Sequence, residues 1–406
     1  MTPRSTQGPP AQAVILAGGL GTRLRPLTDT RPKPMIEFHG RPFMEYLVEQ
    51  LRDAGIERIV MLLGYLPDVV RDHFGDGSRW GVSITYCVTP PEVQTGTRVR
   101  AALDVIDPLF LLLYCDNYWP LQLDRMWHRF AEFEPAAMTT VYRNADGYSR
   151  DNIRLEDGWV AVYDRSRTAE DLKGVEIGYA ILRRDVVEEL LPATADVAVE
   201  EAVFTALAQR GELLAYPTDH RYYSVGSLER LPATDEFLAR RPTILLDRDG
   251  VLNRRPPRAE YIRRPDEFEW LPGAREAVAM LSRGYQLFVI SNQAGIARGA
   301  MTGADLAAVE ARMLADVEDA GGRIDGAYYC RHGWEDGCDC RKPLPGLLFQ
   351  AQREHRLDLT RTPFIGDDDR DGQAADLAGA PFIQVTDDRS LLSIATELIA
   401  EASPTS

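Results

Sequence analysis

The sequence predicts an α/β protein built from two domains, each a mostly parallel, doubly wound sheet. Three observations lead there. The chain has 406 residues, too many for one ordinary hydrophobic core. Short apolar runs of strand length alternate with amphipathic segments of helical period. The same rhythm then starts afresh at TILLD, just after the charged, proline-bearing junction LARRPT.

The elements follow in order. Residues 1–11, rich in Pro, Ser and Gln, form an expected disordered tail. AVILA opens the first domain, 12–240, as a buried strand. A helix with Phe43, Leu47 and Leu51 on one face comes next, then the strand RIVMLLG, a helix near 67–74, and the strand LFLLLYCDN. The second domain, 241–398, runs from TILLD through a helix over about 272–283, the strand QLFVIS and a helix around 306–317. The strand PFIGD and a further helix complete it. Residues 399–406 are expected to be a second disordered tail.

Composition narrows the chemistry. With 46 basic and 62 acidic residues the formal charge is −16, which argues against non-specific nucleic-acid binding and leaves anionic substrates to local basic clusters. No stretch approaches the roughly 20 apolar residues of a membrane span, and the N-terminus lacks the apolar centre of a signal peptide. A cytoplasmic chain without nucleic-acid or membrane partners is expected, and nothing in the sequence sets its oligomeric state. Three of the five cysteines fall in one short segment, a pattern that signals metal rather than a disulfide framework. Cys87 and Cys115 are expected to be ordinary buried thiols.

In LLDRDG, Asp247 and Asp249 sit at the carboxyl end of a strand, where open α/β sheets place their sites. Alternate strand positions share a face, so both carboxylates can enter one cleft. One can attack phosphorus while the other handles protons. Magnesium would mask the repulsion between carboxylate and phosphate, held by Asp247, Asp249 and, from GDDDRD, Asp367. Ser291 and Asn292 of ISNQ are candidate donors to phosphoryl oxygens, and Arg341 and Lys342 of CRKP are candidate cations. The segment CRHGWEDGCDC places Cys330, His332, Cys338 and Cys340 so that three thiolates and an imidazole can enclose one tetrahedral Zn²⁺. With all four positions filled, such a zinc is structural.

In the first domain AVILAGGLGTRLRPLTDTRPKPM gives a strand, then a glycine-rich loop, then Arg23 and Lys33. Gly18, Gly19 and Gly21 with Thr22 let the backbone approach phosphates, and the two cations offset triphosphate charge. Gly96, in a second glycine-bearing stretch, is a further candidate nucleotide-binding position, and Asp116, following the strand LFLLLYC, is a candidate Mg²⁺ ligand.

The order DxD, S, K, GDxxxD over 243–390 resembles the haloacid dehalogenase superfamily of phosphotransferases. The resemblance implies a Rossmann-like sheet without a large cap. Asp247 would be the nucleophile, Asp249 the acid/base, Ser291 and Lys342 phosphate binders, and Asp367 a metal ligand. The zinc loop with SNQAGIARG and CRKPLPG resembles the branch containing heptose-bisphosphate and histidinol-phosphate phosphatases, the heptose side more closely. Asp368 departs from it, standing where that type usually has a basic residue.

The glycine-rich signature, extended to about residue 238, resembles sugar-1-phosphate nucleotidyltransferases. Lys33 and Arg23 would then act electrostatically on an NTP, and Asp116 would hold Mg²⁺. Here Ser224 of SVG stands at the second acidic position, GTRVRA replaces a barer glycine stretch, and Cys115 replaces a glycine. Together the resemblances imply a bifunctional enzyme of nucleotide-activated heptose synthesis, acting on sugar phosphates and an NTP, with GTP the expected donor. Two alternatives stay open: a phosphatase for histidinol phosphate or another small phosphomonoester, and a first domain that binds sugar nucleotides without catalysis.

Overall fold

The computed structural model describes residues 8–402. The chain divides into two compact units, Met1–Leu238 and Ala239–Ser406. The strands of the two main sheets are numbered here in chain order.

The first unit is organised by a nine-stranded sheet. Its strands are β1 (Gln12–Ala17), β2 (Arg58–Leu63), β3 (Ser83–Val88), β4 (Leu109–Tyr114), β5 (Ala137–Tyr142), β6 (Ile153–Glu156), β7 (Trp159–Tyr163), β8 (Val175–Arg183) and β9 (Leu213–Thr218). They lie in the order β3-β2-β1-β4-β8-β5-β9-β7-β6. β3, β2, β1 and β4 run parallel, as the βα rhythm predicts, and β5 and β9 form a further parallel pair. β8 enters antiparallel between β4 and β5, and β7 antiparallel between β9 and β6. The sheet is therefore mixed. In its second half β6 and β7 form a hairpin, while the helical segments Arg184–Leu190, Glu200–Thr205 and Ala206–Arg210 lie between β8 and β9.

Both faces of β1 are buried, which is why AVILA reads as a continuous apolar run. Ala13, Ile15 and Ala17 enter one core, while Val14 and Leu16 enter the other. The helix Phe43–Asp53 turns Phe43, Leu47 and Leu51 inward as its period predicts.

The second unit holds a five-stranded, all-parallel sheet of β10 (Thr243–Leu246), β11 (Gln286–Asn292), β12 (Gly326–Cys330), β13 (Phe364–Gly366) and β14 (Phe382–Gln384). The order is β12-β11-β10-β13-β14. Ile244 and Leu246 face one core and Leu245 the other. β10 is central, so residue 247 emerges at the middle of the sheet's carboxyl edge. The predicted helix around 306–317 spans Gly303–Asp319 and starts at a capping box of Thr302 and Asp305.

The two predicted tails need correction. Of the first, residues 1–7 lie outside the described residues, while Pro10 is already buried ahead of β1. Of the second, residues 403–406 lie outside the described residues, but 399–402 belong to the helix Leu391–Ala402. That helix continues because Leu391, Ile394, Ala395 and Leu398 repeat at helical spacing and pack into the same core as the helix Ala274–Leu281. No helix among the described residues is long and apolar enough to cross a membrane.

Candidate functional site

At the end of β10 the backbone N–H of Asp247 donates to Ile365 O (2.9 Å), which fixes the residue where β10 and β13 diverge. Its side chain is 8% exposed. Lys342, 3% exposed, places its ammonium 2.8 Å from Asp247 Oδ1 and 2.7 Å from Asp371 Oδ1, and donates to Ile290 O at 3.0 Å. The ammonium thus has three acceptors within reach at the floor of the cleft it lines. Asp247, Asp367 and Asp371 each bring a carboxylate oxygen within 4.8 Å of the others. Asp367 can come so close because Gly250, at φ +100°, faces it. A Cβ there would meet Asp367 Oδ2 at 1.9 Å.

Three carboxylates around one ammonium leave excess negative charge in a buried site. Burial and the neighbouring Asp371 and Asp249 charges push Asp247 up to about 7, with Lys342 opposing them. Burial likewise raises Asp367 to about 6, with Arg255 opposing and Asp371 reinforcing. Burial works against the Lys342 ammonium, yet Asp247 and Asp371 hold its pKa above the ordinary value. A hard divalent cation is the group that such an oxygen set accepts and that would relieve the repulsion.

The other expected residues fall at the same edge with altered assignments. Asp249 lies outside the carboxylate group. Its oxygens accept from Arg248 Nη2 (3.0 Å), Asn253 Nδ2 (2.9 Å) and Gln293 Nε2 (2.9 Å), which hold the carboxylate in place. Ser291, 1% exposed, is the penultimate residue of β11 and accepts from Gln293 Nε2 at 3.0 Å. Asn292, a candidate phosphate donor, exchanges two 3.1 Å hydrogen bonds with the backbone of Lys342 and so positions that residue. Arg341 lines the cleft, and its Nη1 is buried with no hydrogen-bond partner among the described residues. The cleft measures about 910 Å³. Asp371 is the member of this carboxylate group that sequence reasoning did not name. Its signal was the spacing of GDDDRD, which puts it one helical turn past Asp367 in the helix Asp369–Ala378.

Cys330, His332, Cys338 and Cys340 gather as the spacing predicts. Cys330 Sγ lies 3.7 Å from Cys338 Sγ and 3.8 Å from His332 Nδ1, and His332 Nδ1 lies 3.2 Å from Cys340 Sγ. The edge of a tetrahedron with metal–sulfur bonds of about 2.3 Å is roughly 3.8 Å, so the four atoms fit one Zn²⁺-sized centre. Two residues after Cys340 comes Lys342.

In the first unit the loop after β1 brings Lys33 Nζ to within 2.5 Å of Asp116 Oδ2. Burial pulls the Lys33 pKa down, but the Asp116 charge, the Cys115 charge and the hydrogen bond to Asp116 together hold it above the ordinary value, so the ammonium is kept. Gly21 takes φ +64° before a short helical turn that carries Thr22 and Arg23, and these two with Gly19 are exposed. Two expected nucleotide contacts are occupied by the protein itself. Gly96 N–H donates to Val197 O at 3.0 Å, and a Cβ there would meet that oxygen at 2.8 Å. Its bareness therefore serves packing. Gly18 is covered by Arg98, whose buried guanidinium donates to Gly18 O (3.3 Å), Leu63 O (3.1 Å), Pro90 O and Pro91 O (both 3.0 Å). Ser224 pairs across from Asn117, next to Asp116, and its hydroxyl accepts Gly226 N–H at 3.0 Å. Asp116 belongs to no group of three or more potential ligands among the described residues. Cys115 is buried, its thiol pushed up to about 12 by burial, whereas Cys87 is only half-buried.

One further cluster gave no sequence signal beyond a lone acid in the apolar run GVEIGYAIL. A bulge in β8 at Gly178 lets Glu176 Oε1 accept Gly178 N–H at 2.6 Å, with Thr139 and Tyr163 hydroxyls donating at 3.3 Å. Tyr114 and Thr95 donate to the adjacent Glu200, each at 2.9 Å. Burial, reinforced by the Glu200 charge, raises Glu176 to about 8.

A nucleotidyl transferase family model matches residues 12–148, and a HAD-hydrolase-like model matches residues 339–402. The D-glycero-beta-D-manno-heptose-1,7-bisphosphate 7-phosphatase of Bordetella bronchiseptica is 41% identical over 145 residues, 35% of this chain and 80% of that protein. The protein of the same name from Pseudomonas aeruginosa is 43% identical over 136 residues, 33% of this chain and 75% of its own. The chain belongs to this heptose-bisphosphate phosphatase family. It also carries a nucleotidyl transferase domain at its N-terminal side. A Bacillus anthracis structure described as a glucose-1-phosphate thymidylyltransferase shares the fold at 17% identity, covering 55% of this chain and 93% of its own, with a TM-score of 0.50.

The raised Glu176 pKa has a definite sign for stability. The folded state holds a proton between pH 4.5, the group's ordinary value, and about 8. Its contribution is full below the lower value and is lost as pH rises through the upper one. Glu176→Gln mimics the protonated form, so the fall in the first unit's thermal midpoint between about pH 6 and 9 is expected to shrink by the equivalent of a few kcal/mol. Parallel melting curves for variant and parent across that range would contradict the assignment.

Proposed function

We propose that the chain is a bifunctional enzyme of nucleotide-activated heptose synthesis. Residues 241–402 remove the 7-phosphate of D-glycero-D-manno-heptose 1,7-bisphosphate, and residues 12–240 transfer a nucleotidyl group from an NTP, GTP the expected donor, to the resulting sugar 1-phosphate. The observation that carries the phosphatase reading is the buried arrangement of Asp247 against Lys342, with Asp367 and Asp371 converging beside it. Asp247, Asp367 and Asp371 would hold Mg²⁺, which offsets the charge of the phosphoryl group as the nucleophile approaches.

Asp247 Oδ attacks phosphorus, the bond to the sugar oxygen breaks, and an aspartyl-phosphate forms. Lys342 steadies the carboxylate and the phosphoryl oxygens, and the Ser291 hydroxyl donates to one of those oxygens. Asp249 protonates the departing alkoxide. It then takes the proton of the water that cleaves the aspartyl-phosphate, so its charge is restored each cycle. The donors from Arg248, Asn253 and Gln293 hold its carboxylate in one orientation for both transfers.

The zinc loop joins β12 to the segment carrying Arg341 and Lys342. A structural Zn²⁺ there would hold the cation at its depth in the site. The thiolates it needs persist in a reducing cytoplasm, the compartment this reading assigns to the chain.

In the first unit Lys33 and Arg23 would offset the charge of the triphosphate, with Asp116 as metal ligand. A second reading is favoured by Arg98 covering Gly18, by the committed Gly96 N–H and by Ser224 beside Asp116. It makes this unit a sugar-nucleotide-binding module without catalysis.

Phosphate release from both anomers of the bisphosphate tests the first activity. Turnover is expected, falling by about 10³ or more in Asp247→Asn because the nucleophile is lost; an unaffected variant would remove Asp247 from the role, and faster turnover of histidinol phosphate would move the substrate. Pyrophosphate release from a panel of NTPs with the sugar 1-phosphate tests the second. GTP is expected to be turned over best, and silence across the panel with nucleotide still bound would select the binding-module reading. Metal analysis is expected to find one zinc per chain, lost together with cooperative unfolding of the second unit in a Cys338→Ser, Cys340→Ser variant. A zinc-free protein of unchanged stability contradicts it.

A further inference from the structure

Asp368 puts an acid at the rim of a cleft built to receive phosphate, and its surroundings show how that charge is used. Asp368 Oδ1 accepts Arg370 Nε and Oδ2 accepts Arg370 Nη2, both at 2.9 Å, a bidentate pair. Arg255 Nη2 bridges Asp368 Oδ2 (3.0 Å) and Asp367 Oδ1 (2.9 Å). The Arg370 partner above all, with Arg255 adding its charge, holds the Asp368 carboxyl far below the ordinary range. One acid therefore fixes two guanidiniums, and the trio carries a net positive charge. Arg255, Asp368 and Arg370 line the same cleft as Asp247.

That cleft has room for more than a phosphoryl group, at about 910 Å³. On its walls, Arg341 Nη1 and Tyr261 OH are buried without a hydrogen-bond partner among the described residues. Buried donors left unmade are costly, and a polyanionic ligand's oxygens would satisfy them. Lys342 and the carboxylate group already account for the phosphoryl group that is cleaved.

We propose that Asp368 is a positioning residue which holds Arg370 and Arg255 at the rim of the cleft, where the guanidiniums bind the phosphate that is not cleaved and so select a sugar bisphosphate over a monophosphate. The proposal rests on the phosphatase reading and deepens it. Guanidiniums suit the task because neither can lose its proton, and Arg370, which gives Asp368 one N–H each from Nε and Nη2, keeps a parallel N–H pair on its Nη1–Nη2 edge. Asp368 also caps the helix Asp369–Ala378, so its presence at the rim serves the fold and the ligand together.

The sign of one substitution separates this from simple repulsion. If Asp368 merely repels substrate, Asp368→Asn tightens binding; if it orients the arginines, the same change weakens it. Asparagine is also a good helix cap, so the fold is expected to persist, checked by an unaltered thermal midpoint. Arg370→Ala is the companion variant, since Arg255 also touches Asp367.

With kcat and KM measured on the heptose 1,7-bisphosphate and on the same sugar carrying only the 7-phosphate, both variants are expected to raise KM for the bisphosphate about tenfold. The kcat/KM preference for bisphosphate falls with it. A lower or unchanged KM in Asp368→Asn overturns the proposal, as do equal losses on both substrates. Wild-type protein inactive on both sugars sinks the phosphatase reading instead. Calorimetric binding of the bisphosphate then decides the subsite, which stands only if Arg370→Ala weakens it roughly tenfold.

Discussion

The ammonium of Lys342 is the constraint on which the phosphatase unit turns. Almost wholly buried, it must be surrounded by acceptors, and Asp247, Asp371 and Ile290 O supply them. Those three come from the ends of β10 and β11 and from the helix after β13, so one cation ties the central strands' carboxyl edge together. The zinc-type cluster is two residues upstream and Asn292 grips the Lys342 backbone. Much of the apparent elaboration of this unit is thus scaffolding for a single side chain. The acids that gather around it exceed its charge, which makes the same place a receptor for a divalent cation and for phosphate.

The first unit solves its charge problem differently. Lys33 and Asp116 neutralise each other directly, and a buried Arg98 satisfies carbonyls from Gly18, Leu63, Pro90 and Pro91. Bare glycines that could serve a ligand serve packing instead: Gly18 against Arg98 and Gly96 against the Val197 backbone. A glycine-rich signature is therefore compatible with two physical uses, since the absence of a Cβ admits a guanidinium or a backbone strand as readily as a phosphate.

The rim of the phosphatase cleft teaches the same lesson about charge. Read singly, Asp368 is an unfavourable residue beside an anionic substrate. In place, it is outnumbered by the arginines it orients, and an acid becomes the means of presenting cations.

The sequence by itself determined the two α/β units, the parallel strands that bury both faces, the order of acids and cations along the second unit, and the Cys/His cluster. Each depends on local period or tight spacing, which survive in one dimension: AVILA, LLDRDG and CRHGWEDGCDC carry their meaning within about a dozen residues. Only the tertiary structure decided the antiparallel insertion of β8, the extension of the last helix through residue 402, and the buried Glu176. It alone also left Asp249 outside the tight group of carboxylates, brought Asp371 into it, and set Asn292 on a backbone and Arg98 over Gly18. Those outcomes depend on which partners arrive from 40 to 120 residues away: Gln293 to Asp249, Asn292 to Lys342, Gly18 to Arg98, Arg255 to Asp368. A side chain's chemical type is written in the sequence, but its charge state and direction are set by the neighbours that folding supplies.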